Sequence, residues 1–234
     1  MAPRNVGRVA ETLPLFPLGT VLLPGASLPL HIFEPRYRQL VVDLMTGSLF
    51  GRTFGVVCIK QGWEVGADNV HSLQDIGCSA DLLDARPLPE GRFDIVTRGV
   101  RRFRLLDVDT TTAPYLLAHV DYLDDAPVPE AALEVVPILE RGARAAHERY
   151  CGAAWHREDW SSPAEDSDLG ALSYLLAADC LLPVEDRQRL LEERSPARRL
   201  RLVRRMLHRE TGILSALKAV PVPLTEFGHV PSPN

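Results

Sequence analysis

The stretch 13–37, LPLFPLGTVLLPGASLPLHIFEPRY, constrains the fold more than any other part of the chain. Two short apolar segments flank Pro24-Gly25, where proline fixes φ and glycine tolerates the positive φ that a tight reversal between two strands needs. Leu28, Leu30 and Ile32 alternate with Pro29, His31 and Phe33, which predicts an extended segment with one aliphatic face. The opposite face, with His31 and Phe33, is either covered by the next helix or left to line a groove. Pro35 opens that helix with a pattern in which Tyr37, Leu40, Val41 and Leu44 recur three and four residues apart, so the strand runs directly into a helix ending at Thr46-Gly47-Ser48.

Period 2 continues after that helix. Residues 53–60 (TFGVVCIK), 76–88, 93–108 and 115–122 read as strands, and Pro89-Glu90-Gly91 reads as the turn of a hairpin. The alternation in 93–108 changes phase at Gly99, the mark of a β-bulge that bends the strand. Short strands with one inserted helix and no βα alternation predict an antiparallel, closed or partly closed β-domain over residues 12–124.

From Glu130 the period becomes helical, and DDAPVP at 124–129 is the linker. Residues 130–149 place Leu133, Val136 and Leu139 on one stripe, with Pro137 kinking the helix or marking its true start. A helix over 168–181 is expected to be capped by Asp166 or Ser167, Pro183 starts a short helix, and Ser195-Pro196 starts a last one burying Leu200, Val203, Met206 and Leu207. These amphipathic segments predict a helical bundle over 130–218, followed by a proline-rich, disordered tail. The fold class is thus α+β.

Composition excludes some function classes. A net charge of −5 gives no general attraction to nucleic acid or to an anionic membrane, and no segment approaches the roughly 20 apolar residues of a membrane span. Four cysteines without a CxxC pair predict neither zinc ribbon nor disulfide framework and fit a reduced, cytoplasmic compartment, as does an N-terminus without a signal-peptide pattern. No GxxxxGK[ST], GxGxxG, HExxH or GxSxG occurs, so no cofactor and no familiar catalytic motif is expected. His147 and Cys151, four apart on one helix with His156 nearby, have the spacing to present metal ligands; without a supporting carboxylate pattern they are read as packing, and no metal is expected. Arg198, Arg199, Arg201, Arg204, Arg205 and Arg209 are read as a solvated face paired with Glu185, Asp186, Glu192 and Glu193. The candidate binding residues are His31 and Phe33 on the open strand face, Glu34, Arg36 and Tyr37 at the helix start, and Trp63 in a Gly-flanked loop. Glu34 also has a structural reading, as a carboxylate stabilising the N–H groups of that helix start.

LPLFPLGTVLLPG, LPLHIFEPRYRQLV, FGVV, IGCSADL, LPEGRFDIVTRGVRRFRL and YLLAHVDYL, in that order, resemble the N-terminal substrate-binding domain of Lon proteases, a domain also seen in cereblon. The similarity extends more weakly through LSYLLAADCLLPVEDRQRLLE into the last helix, over about residues 12–214. The resemblance implies a PUA-like pseudo-barrel with a helical bundle behind it, and a non-catalytic role in holding polypeptide substrates or partners. The chain is similar in kind to stand-alone bacterial proteins of this domain, since neither an ATPase nor a Ser-Lys peptidase module accompanies it. A groove between barrel and bundle, or strand addition at a free sheet edge, is the expected mode of binding. The competing expectations are a small-molecule- or RNA-binding regulator on such a barrel, and an unrecognised hydrolase.

Overall fold

A computed structural model describes residues 11–49, 51–62, 70–154, 160 and 162–217. Trp63, Trp155, His156 and the tail from 218 lie outside the described residues. The strands are β1 (Glu11–Leu18), β2 (Ser27–Ile32), β3 (Thr53–Gly62), β4 (Val70–Leu73), β5 (Ile76–Pro87), β6 (Phe93–Asp109) and β7 (Leu116–Tyr122). The helices are α1 (Pro35–Thr46), α2 (Glu130–Leu133), α3 (Val136–Ala154), α4 (Leu169–Ala178), α5 (Val184–Glu192) and α6 (Pro196–Leu217). The α+β order expected from the change of period is the one observed.

Five strands close on themselves. Around the ring, β1 pairs with β7, β7 with β6, β6 with β5 and β5 with β3, all antiparallel. The ring closes where β1 runs parallel to β3, Phe16 opposite Val56. A parallel pair needs a crossover connection, and β2 with α1 supplies it. Inside the ring Leu13, Leu15, Val57, Phe103, Ala118 and Val120 form a small core of their own. Phe103 fills its middle, and Gly77 opposite it has no room for more: a Cβ there would stand 2.5 Å from the Phe103 ring and 2.6 Å from the Val56 carbonyl oxygen. The other face of the strands (Phe16, Phe54, Val56, Cys78, Ala80) belongs to a second, larger core shared with α1 and the bundle.

The Pro24-Gly25 turn forms, with Gly25 at φ 81°, but it does not fold β1 and β2 into a hairpin. β2 pairs instead with the first half of β6. The turn docks on the bulge: Gly99 N–H donates to the Ala26 carbonyl at 2.9 Å and Gly25 N–H donates to the Gly99 carbonyl at 2.8 Å. A side chain at Gly99 would place its Cβ 2.2 Å from the Leu23 carbonyl oxygen. The register of β5 against β6 slips by one residue between the pairs Cys78–Arg102 and Ala80–Gly99, as a bulge requires.

In the bundle, Pro137 is the second residue of α3, where a missing N–H costs nothing, so it marks a start and not a kink. Of the predicted stripe only Leu139 is buried; Leu133 sits on the separate turn α2, exposed. The cap of α4 is Asp168, whose Oδ1 accepts from Gly170 N–H at 2.7 Å and Ala171 N–H at 3.3 Å. Ser167 is one residue too early and donates to the Ala164 carbonyl instead. Leu200, Val203, Met206 and Leu207 of α6 are buried as expected.

Arg199 is not on a solvated face. It is fully buried, with its guanidinium over the Tyr174 ring at 4.2 Å and its Nη1 donating to Asp125 Oδ1 at 2.7 Å. The same carboxylate oxygen accepts from Arg102 Nη2 of β6 at 2.8 Å, and Arg102 further donates to the Leu191 and Glu193 carbonyls. A strand, the linker and the last helix therefore meet on one carboxylate. Arg209 does pair with Asp186 of the acidic helix, as expected from the sequence.

Candidate functional site

β2, the first half of β6 and the second half of β5 form a three-stranded ribbon reaching beyond the closed ring. Its pleat sorts the side chains: Leu28, Leu30, Ile95 and Leu82 face the large core, while Pro29, His31, Asp94, Val96 and Arg86 face out. Along β2 burial alternates residue by residue, so the predicted aliphatic face is the buried one.

His31 stands directly opposite Asp94 in the register, and its Nδ1 lies 2.8 Å from Asp94 Oδ1. A carboxylate only accepts, so Nδ1 carries the proton and Nε2 faces away from Asp94. Arg86 Nη2 donates to the other Asp94 oxygen at 2.7 Å. These two donors, His31 first and Arg86 second, hold the Asp94 carboxyl below the usual carboxylate range. Phe33, at the end of β2, is 49% exposed and stacks its ring on His31 at a centroid distance of 6.3 Å. Val96 and Leu83 are also exposed; Leu83 is the extra residue where β5 slips register between Leu82 and Asp84. The outer face is thus an apolar strip beside a fixed trio of charged and polar groups.

The helix-start residues divide. Glu34 caps α1 through its backbone carbonyl, which accepts from Tyr37 and Arg38 N–H, but its side chain makes no cap bond. The carboxylate pairs with Arg36 Nη2 at 3.1 Å instead, both partly buried. Arg36 lies 4.5 Å over the Tyr37 ring. Tyr37 itself is buried, stacked on Phe16 at 3.9 Å, and is a core residue with no surface to offer. His31 and Phe33 therefore share one open surface, Glu34 and Arg36 stand half-buried at its end, and Tyr37 anchors the helix from beneath. Trp63 lies outside the described residues.

The structure also contains a depression between barrel and bundle, of about 580 Å³, with Ile76, Arg104, Leu105 and Leu123 on the strand side and Glu192 and Arg194 on the helix side. None of His31, Phe33, Glu34, Arg36 or Tyr37 lines it. The sequence suggests one place for the open face and the groove; they are separate places. It also gives no sign of Asp94, Arg86 and Leu83 as neighbours of His31. Asp94 becomes visible only once β2 is known to pair with β6, and periodicity cannot announce a pairing between segments so far apart in the chain. Among the described residues no helix is long and apolar enough to cross a membrane.

The sequence profile of the ATP-dependent protease La (LON) substrate-binding domain family matches residues 12–209. The chain is 27% identical over 226 residues to Lon protease 2 of Myxococcus xanthus, covering 90% of this chain and 25% of that protein. It is 31% identical over 124 residues to the Lon protease of Parabacteroides distasonis, covering 52% of this chain and 14% of that protein. The chain thus spans a quarter or less of the length of these relatives. Its fold resembles that of a Lon N-terminal domain protein from Xanthomonas campestris, with a TM-score of 0.54, 24% identity and coverage of 90% of this chain and 99% of that one. It also resembles the N-terminal domain of a Mycobacterium avium complex Lon protease, with a TM-score of 0.59, 17% identity and coverage of 85% and 98%.

Proposed function

The chain belongs to the ATP-dependent protease La (LON) substrate-binding domain family, and from that membership we propose that it is a polypeptide-binding module that recruits other chains without acting on them chemically. The observation that carries this reading is the outer face of the β2–β6–β5 ribbon. There Phe33 and Val96 stay exposed although an aliphatic face is available just beneath, and His31, Asp94 and Arg86 are held in place by one another. An exposed aromatic costs little entropy to immobilise and offers large contact area, which suits the capture of apolar segments of a non-native chain. The His31 Nε2 and the Arg86 guanidinium add polar anchoring beside it.

β2 supports the same reading in a second way. Among the described residues its one strand partner is β6, which leaves its other edge as the place where a strand could add, and Pro29 limits that pairing by lacking an N–H. A site of this kind binds many sequences weakly. The four thiols, none of them in a disulfide, fit a reducing, cytoplasmic setting for the encounter.

The test places a photo-crosslinking benzoyl-phenylalanine at Phe33 and, in a parallel protein, at Leu106, which is as exposed but lies at the far end of β6. Both are irradiated with a reduced, carboxymethylated model protein that cannot fold. Capture several-fold higher from position 33 is expected. Equal capture from the two positions removes the ribbon as the binding face, and no capture from either removes polypeptide binding.

A further inference from the structure

In α3, His147 and Cys151 lie one turn apart on the buried face, and Cys180 sits just after the end of α4. All three side chains are essentially inaccessible, and their ligating atoms lie within 4.8 Å of one another. We propose that His147, Cys151 and Cys180 bind a borderline-soft divalent cation of the Zn²⁺ class, which fastens α3 to the segment leaving α4.

Geometry supports this assignment. Zn–S near 2.3 Å and Zn–N near 2.0–2.1 Å at a tetrahedral angle put the nitrogen and sulfur about 3.6 Å apart. His147 Nε2 and Cys151 Sγ are 3.4 Å apart. Donor chemistry selects the cation: two thiolates and an imidazole, with no carboxylate among them, favour zinc-like ions over calcium or magnesium. Charge agrees as well, because two thiolates and a neutral imidazole cancel a dication and leave the buried site with no net charge. Binding releases the two thiol protons to solvent, and no oxidant or reductant is involved.

The surroundings hold the ligands in place. Arg187 Nη1 donates to the Cys180 carbonyl at 3.3 Å, and the Leu181 N–H donates to the Tyr150 hydroxyl at 2.9 Å, so the segment bearing Cys180 is fixed on both sides. Trp160 packs edge-on to the His147 ring. A cavity of about 130 Å³, lined by Arg144, His147, Glu148 and Glu165, lies beside His147. The i, i+4 pair is visible in the sequence; Cys180, which completes the set, is brought by the packing of α4.

The full chain, purified under reducing conditions and stripped with a chelator, is titrated with Co²⁺ and then Zn²⁺. The expected result is about one cation per chain, a thiolate-to-cobalt charge-transfer band with the intense visible bands of four-coordinate cobalt, and bleaching of both by zinc. Cys151→Ser and Cys180→Ser each abolish the charge-transfer band or weaken cobalt binding by about a hundredfold or more, while Cys58→Ser leaves it intact. A protein that gives no charge-transfer band overturns the proposal, as does one whose band survives the Cys151→Ser/Cys180→Ser double substitution. Should these variants not fold, the wild type decides. Zinc must protect two thiols from alkylation, mapped by mass spectrometry to Cys151 and Cys180, and protection that maps elsewhere or is absent overturns the site.

Discussion

The barrel and the bundle are built on different principles. The hydrophobic core of the closed ring is six side chains with Phe103 at its middle, each strand of the ring pairs with a neighbour on both sides, and the polar side chains buried on these strands, Ser79, Thr97 and Arg102, donate to backbone carbonyls. The bundle buries His147, Ser173, Asp186, Gln188 and Arg199 along its inner faces. The thiols show polar pairing only in the bundle: burial pushes Cys78 of β5 up to about 12, whereas the hydrogen bond between Cys151 and Cys180 holds Cys151 below an ordinary thiol, with His147 beside it, and pushes Cys180 up. A barrel closed by its own backbone needs only side chains that fit. Helices have no ladder between them, so buried polar pairs fix how they sit. The barrel should therefore fail when volume changes, and the bundle when a charge is left alone.

Asp125→Ala tests the second half of that statement and carries the largest expected effect. It strips the shared carboxylate from Arg102 and Arg199, of which the first is nearly and the second fully buried. Uncovering a buried charge costs about 3–5 kcal/mol, and the lower end applies because Asp125 itself is partly exposed. Urea unfolding should register about 3 kcal/mol of lost stability, with much of it regained when Arg199→Met is added and one of the stranded charges goes. A loss below about 1 kcal/mol would mean that the carbonyls of Leu191, Glu193 and Gly170 suffice to hold both arginines.

A pair of glycine substitutions addresses both halves together. Gly77→Ala drives a methyl into Phe103 and the Val56 carbonyl, and overpacking of this kind costs about 1–3 kcal/mol. Gly152, in the last turn of α3, has nothing within 4 Å of the position its Cβ would take. Gly152→Ala should stabilise by about 0.5 kcal/mol, through the lower entropy of the unfolded chain. Thermal unfolding of the two variants should move the midpoint in opposite directions. Equal and small shifts would show that the barrel interior has slack that its contacts deny.

The same difference explains what is legible in the sequence. The strands read at 53–60, 76–88, 93–108 and 115–122, the α1 start at Pro35, the stop at Gly47 and the bulge at Gly99 are local and appear where their residues put them, while the short strand β4 (Val70–Leu73) is not read from the sequence. What the sequence hides is long-range or polar. Pro24-Gly25 reads as the turn of a hairpin, yet its partner is Gly99 on β6, and the alternation that identifies a strand carries no label for its neighbour. Arg199 sits among five other arginines on α6 and reads as surface; only the folded linker brings Asp125 beneath it. Tyr37 reads both as part of the apolar stripe of α1 and as a candidate contact at the helix start, and helix spacing alone does not separate the two. The outer face of β2 is legible in its alternation, but the fixed polar trio on it depends on β5 and β6.

That trio gives the smallest and most local effect. Asp94 lies on the solvent side of the ribbon, and its carboxyl titrates below the usual carboxylate range because His31 and Arg86 donate to its charged form. A group whose native pKa is depressed adds stability that is complete above the unfolded-chain value and disappears as pH falls through the native one. The contribution is therefore full at neutral pH and lost only in strong acid, when protonation of Asp94 frees both partners. Carbon-detected NMR of the Asp94 carboxyl should show a midpoint below that of an unperturbed aspartate, and Arg86→Ala should move it back toward the ordinary value. His31→Ala should move it further, His31 being the stronger of the two donors. If neither substitution moves the midpoint, the trio is not held together on the surface, and the polar half of the proposed binding face loses its preorganisation while Phe33 keeps its exposure.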